Sequence, residues 1–420
     1  MLCGAFAEIL WLTIPVYPYA VAGKDELLLL IMKKLRNKLH YFDFYLFIPY
    51  VLLCAIGVVM VYSASSINLS YSGAATSTYL LKQLLYVFLG LGCFVFAYMF
   101  QLSKLTNKVF IIIGFFVMVV LLLYAKFFTT AINGANGWID LKIFSLQPAE
   151  LCKLYLILFM AQLLTRREKM SIAQRKQSGK KPYFLAAILL ILILIEPDLG
   201  GFSINATIVF VMWLARGGSY KKAWAIMLGL GGVLAAGVQI LRFWNPLTGT
   251  KFAYMYGRLA AFYNPFHVAS TSGQQLINSY YAISNGGLFG VGLGNSVQKR
   301  GYLPEPYTDF IIGIISEELG AIGVTVVLLL LAWIVLRTYL IGIRSNSTYD
   351  TLICYGVATF MTVEGLFNVG AVNGLLPITG VTFPFVSYGG SSMLVLSLAL
   401  GIVMNVSINQ RRGKMTQIER

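Results

Sequence analysis

Long apolar runs separated by short polar connectors dominate this chain. Segments of about 18 or more apolar residues are long enough to cross a bilayer as helices. The pattern predicts ten such helices, at roughly 44–63, 80–100, 108–126, 148–165, 183–196, 199–216, 222–241, 310–337, 350–371 and 384–408. Basic residues fall in alternate connectors. Lys104 and Lys108 follow the second span; Arg166, Arg167, Lys169, Arg175, Lys176, Lys180 and Lys181 follow the fourth. Arg216, Lys221 and Lys222 follow the sixth, Arg337 and Arg344 the eighth, and Arg411, Arg412 and Lys414 the tenth. Lys and Arg stay on the cytoplasmic side of short loops, so these connectors and both termini are assigned there. The intervening connectors face outward. Residues 64–79 are uncharged, Glu196-Pro197-Asp198 makes a tight turn, and 242–309, between helices seven and eight, is by far the longest. The expected fold class is an all-α integral membrane protein.

Composition sharpens that picture. Of 420 residues, 58% are hydrophobic and 11% charged, which excludes a string of soluble domains. A net charge of +16 would otherwise suggest nucleic acid, but the placement of the cations attributes it to membrane orientation, and no nucleic-acid partner is expected. Five cysteines without metal spacing read as small buried hydrophobes, and two histidines cannot form a His-rich metal site. Residues 1–31 contain Glu8 and two prolines and lack a basic leader, so they read as a start-site extension. Residues 32–410 form the transmembrane domain and 411–420 a cytoplasmic tail.

The polar groups that break the hydrophobic pattern are the candidates for chemistry. Span four opens Gln147-Pro148-Ala149-Glu150-Leu151-Cys152-Lys153. Glu150 and Lys153 share one helix face; charges at membrane depth cost about 2.5–3.5 kcal/mol each on insertion scales and are usually paired or functional. Two readings stand: a structural ion pair, or an anion site near the outer face. Asp309 follows Thr308 where the long outer loop becomes span eight. It reads either as a helix cap or as a carboxylate placed to accept a proton from a substrate hydroxyl. Glu317 and Glu318 lie about two turns deeper. The run Gly286, Gly287, Gly290, Gly292 and Gly294 follows no strand, so close backbone approach or tight turns explain it better than a nucleotide loop. The long loop interleaves aromatics with Arg242, Lys251, Arg258, Lys299 and Arg300 and predicts amphipathic helices such as 273–284 resting on the membrane surface. The Gly- and Pro-rich stretch 368–392, which includes Ser387, predicts irregular backbone lining a polar cavity on the outer side.

Six segments carry a resemblance. They are MVYSAS (60–65), FSLQPAELCKL (144–154), EPDLGG (196–201), INSYYAISNGGLFGVGLGNSVQK (277–299), LPEPYTDFIIGIISEELG (303–320) and NGLLPITGVTFPFVSYGGSS (373–392). Together they resemble the SEDS family of bacterial cell-wall polymerases, and most closely its division branch in Gram-positive bacteria. The resemblance implies the ten-span layout and glycosyl transfer on lipid II, with inversion and release of the lipid diphosphate. It puts the essential acid on Asp309. It offers Glu150, Lys153, Arg258, Gln275, Lys299, Arg300, Glu305 and Ser387 as substrate-binding candidates and a divalent cation, magnesium or manganese, as a candidate cofactor. The implied partners are a class B penicillin-binding protein, other division membrane proteins and membrane lipid, and the implied place is the cell membrane at the septum.

Two positions depart from the family pattern. Tyr307 stands where many members have His, and Asn136-Gly137 where two arginines are usual. A lipid II flippase and a non-enzymatic scaffold remain as rival readings. A transporter would place its acids at mid-membrane between inverted repeats, and no repeat is visible. A sporulation role also stays open.

Overall fold

The computed structural model describes residues 41–129, 137–215 and 253–418 apart from 72, 74, 142–143, 172 and 175–180, with scattered positions between 221 and 239. The expected start-site extension, and all but those scattered positions of the seventh span, lie outside the described residues. The helices are α1 (Phe44–Tyr71), α2 (Thr78–Met99), α3 (Leu102–Leu105), α4 (Lys108–Phe128), α5 (Pro148–Glu168), α6 (Lys181–Ile195), α7 (Leu199–Ala215), α8 (Ala253–Tyr263), α9 (Gln274–Gly286), α10 (Ile311–Ile343), α11 (Thr348–Val372) and α12 (Gly390–Ile418). Among the described residues seven of these are long and apolar enough to cross a membrane, and α6 and α7 are shorter apolar helices.

Burial sorts the spans into an inner and an outer set. Within their most apolar windows α5, α11 and α12 are 78%, 72% and 89% buried by protein, against 22% for α4. The inner three also carry most of the polar side chains, because a polar group is tolerated at that depth only where protein surrounds it. At the basic end, buried Asp43 accepts hydrogen bonds from Arg337 of α10 (2.7 Å) and Ser407 of α12 (3.0 Å) and pairs with Arg411 (2.9 Å). One carboxylate thus ties together the ends of three helices.

Three features depart from the pattern-based expectation. First, α10 is broken at Gly320, whose backbone is left-handed (φ 70°). The glycine run is the cause. The peptide N–H groups of Val291 and Gly292 donate to the carbonyls of Glu317 (2.9 Å) and Glu318 (3.0 Å), while Ala321 and Ile322 donate back to Gly287 (2.9 Å) and Leu288 (3.3 Å). A Cβ on Gly290 or Gly320 would collide with the facing backbone. Close approach is therefore the role of these glycines. Second, the last span starts at Gly390 rather than 384. The stretch before it dips into the bundle, with Phe383, Phe385 and Val386 buried and the Val386 carbonyl where a Cβ on Gly57 of α1 would stand 2.7 Å away. Third, α9 matches the expected 273–284 helix but rests on protein. Its buried face, Leu276, Ile277, Ser279 and Ala282, packs on α10, and Ser279 donates to the Val372 carbonyl at the end of α11 (2.8 Å).

A two-stranded ladder, Ile139–Asp140 with Ser145–Leu146, precedes α5. Ser391 donates to the Ser145 carbonyl (2.6 Å) and accepts from the Gln147 N–H (2.9 Å). The start of α12 thereby fixes the start of α5, and with it Glu150.

Candidate active site

Asp309 lies one residue before the helical N-cap position of α10, Phe310, and no side chain caps that helix. The capping explanation therefore fails. The Thr308 hydroxyl stands 3.0 Å from an Asp309 carboxylate oxygen and 3.2 Å from both the carbonyl and the carboxylate of Glu305. Asn368 of α11 donates to the Asp309 carbonyl (2.8 Å) and the Val381 carbonyl (2.8 Å), so it fixes the Asp309 backbone against the irregular connector. Burial pushes the Asp309 carboxyl up to about 6, with the Thr308 hydroxyl and the Arg258 guanidinium pulling down and Glu305 pushing up. A carboxylate in that range is ionised at neutral pH yet more basic than an exposed one, which suits a general base.

Arg258, on α8, links this acid to a second polar group. A Cβ on Gly380 of the connector would stand 3.4 Å from its guanidinium. Its charge acts on Asp309 and also on Asp198, which is further influenced by Lys153 and Glu150. Asp198 holds its turn by accepting from the Gly201 N–H (2.7 Å) and from Gln147 (3.0 Å). Burial raises its carboxyl.

Below Asp198 lies a buried triad. The Lys153 ammonium is 2.5 Å from Glu150 and 2.5 Å from Glu364 of α11. Two acids share one cation, and one oxygen of each, Glu150 Oε2 and Glu364 Oε2, has no partner among the described residues. A buried carboxylate oxygen without a donor is costly, so this triad is electrostatically incomplete. Sequence reading missed Glu364. The signal was there, an isolated acid within an apolar span.

The other expected site residues fall elsewhere. Lys299 is 1% exposed and commits its ammonium to Glu318 (2.7 Å) and Ser63 (2.9 Å), which pins the glycine loop to α1 and α10. Arg300 is exposed. Gln275 donates to the Pro304 carbonyl (3.3 Å), and the Ser387 hydroxyl accepts from the Phe383 N–H (2.8 Å) inside the connector. Tyr307 stacks on Tyr79 (4.7 Å) and its carbonyl accepts from the Tyr388 N–H (2.8 Å). Among the described residues no three His, Cys, Asp or Glu side chains converge to hold a metal ion.

Residues 44–412 match the FtsW/RodA/SpoVE family of cell cycle proteins. The chain belongs to this family. Among curated FtsW/RodA/SpoVE proteins, it is 35% identical over 377 residues to the probable peptidoglycan glycosyltransferase FtsW of Enterococcus hirae, covering 89% of this chain and 94% of the relative. It is 36% identical to FtsW of Bacillus subtilis, covering 89% and 92%, and 35% identical to stage V sporulation protein E of the same bacterium, covering 87% and 96%. Among solved structures, a chain described under structural coordination of polymerization and crosslinking by a peptidoglycan synthase complex matches with a TM-score of 0.68 at 25% identity, covering 88% and 98%. The rod shape determining protein RodA of Thermus thermophilus matches with a TM-score of 0.62 at 25% identity, covering 88% and 97%. The helical fold of the FtsW/RodA/SpoVE family is thus shared along nearly the whole length.

Proposed function

We propose that this chain is a peptidoglycan glycosyltransferase that polymerises lipid II during septal wall synthesis. The observation that carries the mechanism is Asp309, half-buried beside Arg258, with its carboxylate against the Thr308 hydroxyl and its backbone carbonyl held by Asn368. In this reading Asp309 accepts the proton of the acceptor sugar hydroxyl. The freed oxygen attacks the anomeric carbon of the donor from the face opposite the lipid. The C–O bond to the diphosphate breaks with inversion, and the diphosphate leaves with the bonding pair. Arg258 supplies the positive charge nearest that departure. The free oxygens of Glu150 and Glu364 accept from substrate hydroxyl or amide groups. Lys299, Glu305, Gln275 and Ser387 hold the backbone around the site, and Arg300 meets the substrate from the exposed loop.

The ten-span arrangement, with both termini cytoplasmic and Asp309 on the outer face, completes the reading. So does a class B penicillin-binding protein that cross-links the product; the peptidoglycan synthase complex among the structural relatives supports it. A divalent cation near the diphosphate would assist its departure, although among the described residues no group of His, Cys, Asp or Glu converges to hold one. The experiment supplies lipid II to the protein and its transpeptidase partner in detergent, where no bilayer exists to flip across. Glycan strands are expected from the native chain, with Asp309→Asn lowering the rate by about 10²–10⁴-fold while partner binding persists. Unchanged strand synthesis in Asp309→Asn sinks the assignment, and strands from neither protein favour a flippase or scaffold.

A further inference from the structure

The end of the bundle opposite Asp309 contains a cavity of about 480 Å³ where the last turn of α5, α3 and the start of α11 meet. Two cations line it, Arg166 and Lys169, both exposed. Arg166 makes one long contact, 3.4 Å to the Thr106 carbonyl. Asp350 is the one acid of the lining. Two further lining groups are unusual. Tyr349 is 5% exposed and its hydroxyl is buried without a partner among the described residues, and the Thr165 hydroxyl is likewise buried and unpartnered. Buried hydroxyls are normally satisfied, so two of them on one cavity mark a place where an outside molecule completes the hydrogen bonding. The start of α11 adds the positive end of a 25-residue helix.

We infer that this cavity binds the headgroup of an anionic phospholipid that carries hydroxyl groups, of the phosphatidylglycerol type. The charges fit. Two cations against one acid leave a single positive charge, which matches a phosphodiester; a free phosphate or phosphomonoester carries nearly two negative charges. The position fits, because the cavity opens where α5 and α11 reach the membrane boundary, the depth at which phosphodiesters stand. The donors and acceptors fit as well. Arg166 and Lys169 take the phosphate, while Asp350 and Tyr349 accept from the headgroup hydroxyls, which a choline headgroup lacks. The site is separate from Asp309 and does not depend on the polymerase reading.

The test uses the full chain purified in a neutral detergent, with short-chain phosphatidylglycerol, phosphatidylcholine and phosphatidylethanolamine added separately and bound lipid counted by native mass spectrometry. One phosphatidylglycerol per chain is expected, with phosphatidylcholine bound at least tenfold more weakly. Each cation at a membrane surface is worth about fivefold, so Arg166→Ala with Lys169→Ala should weaken retention about twenty-five-fold. Asp350→Asn should narrow the preference for the glycerol headgroup over the others. If the double variant does not fold, Thr165→Val and Tyr349→Phe probe the same cavity without changing charge, and each should weaken retention several-fold. Equal binding of all three lipids overturns the inference, as does retention that no variant changes. Displacement of phosphatidylglycerol by inorganic phosphate at equal concentration also overturns it, and makes a soluble anion the ligand.

Discussion

Among the described residues two lysines are buried against glutamates, and their surroundings are built differently. Around Lys299 every carboxylate oxygen has a partner. Glu318 takes Lys299 and Ser63; Glu317 takes Asn285, Ser296 and the N–H groups of Val297 and Gln298. Around Lys153 two acids face one cation, and two carboxylate oxygens are left over. A closed network fixes the fold. In the proposed reading the incomplete one is completed by substrate in use. Charge alone does not separate the two; the count of partners does.

The largest effect expected from this comparison is on turnover. Lys153→Met combined with Glu150→Gln and Glu364→Leu removes both acids along with the cation, strands no buried charge, and should leave a folded chain yet reduce strand synthesis by at least a hundredfold. Lys299→Met combined with Glu318→Leu should keep synthesis within about threefold of the native rate. Equal losses in the two combined variants would break the distinction. Next comes stability. Lys299→Met alone leaves Glu318 buried without its cation and should cost about 3–5 kcal/mol, read as a lowered thermal midpoint in detergent that the added Glu318→Leu largely restores. Gly290→Ala forces a Cβ against the Glu318 carbonyl and also disfavours the left-handed backbone (φ 78°); a loss of about 1–3 kcal/mol is expected. A midpoint unchanged from the native chain would show that the loop does not brace the break in α10.

The smallest effect is a shift in the pH profile. Asp309 must be ionised to act as a base, and its carboxyl sits at about 6, so activity should be full above neutral pH and fall as pH drops through about 6. Thr308→Val removes a hydroxyl that favours the ionised form and should move the inflection upward. Glu305→Gln removes a charge that opposes ionisation and should move it downward. An inflection that ignores both variants would assign the titration to another group.

Much of this was legible in the sequence. Apolar runs located nine of the helices, because hydrocarbon depth sets a length that composition reveals. The pairing of Glu150 with Lys153 followed from helical spacing. The partner in α11 did not, since Glu364 reaches Lys153 across the bundle and sequence distance carries no record of that. The family resemblance offers Lys299 and Arg300 alike as substrate-binding candidates. Their opposite fates, one buried and one exposed, depend on how the glycine loop docks, and no periodicity encodes docking. The break at Gly320 was hidden for the same reason. A glycine in an apolar helix reads as a packing contact until another strand of backbone is known to lie against it.

That break gives the Asp309 end of α10 an unusual mechanical status. Residues 311–318 are all buried in protein, whereas the portion beyond Gly320 presents exposed Ile322, Val326, Leu329 and Trp333 to the lipid side. A bilayer that thickens or thins tilts the lipid-facing portion. A continuous helix would carry that tilt to its tip as a lever does. Here the loop Gly287–Gly292 bonds to backbone on both sides of Gly320, so the buried portion that carries Asp309 is held by protein contacts and not by the lipid-facing portion alone.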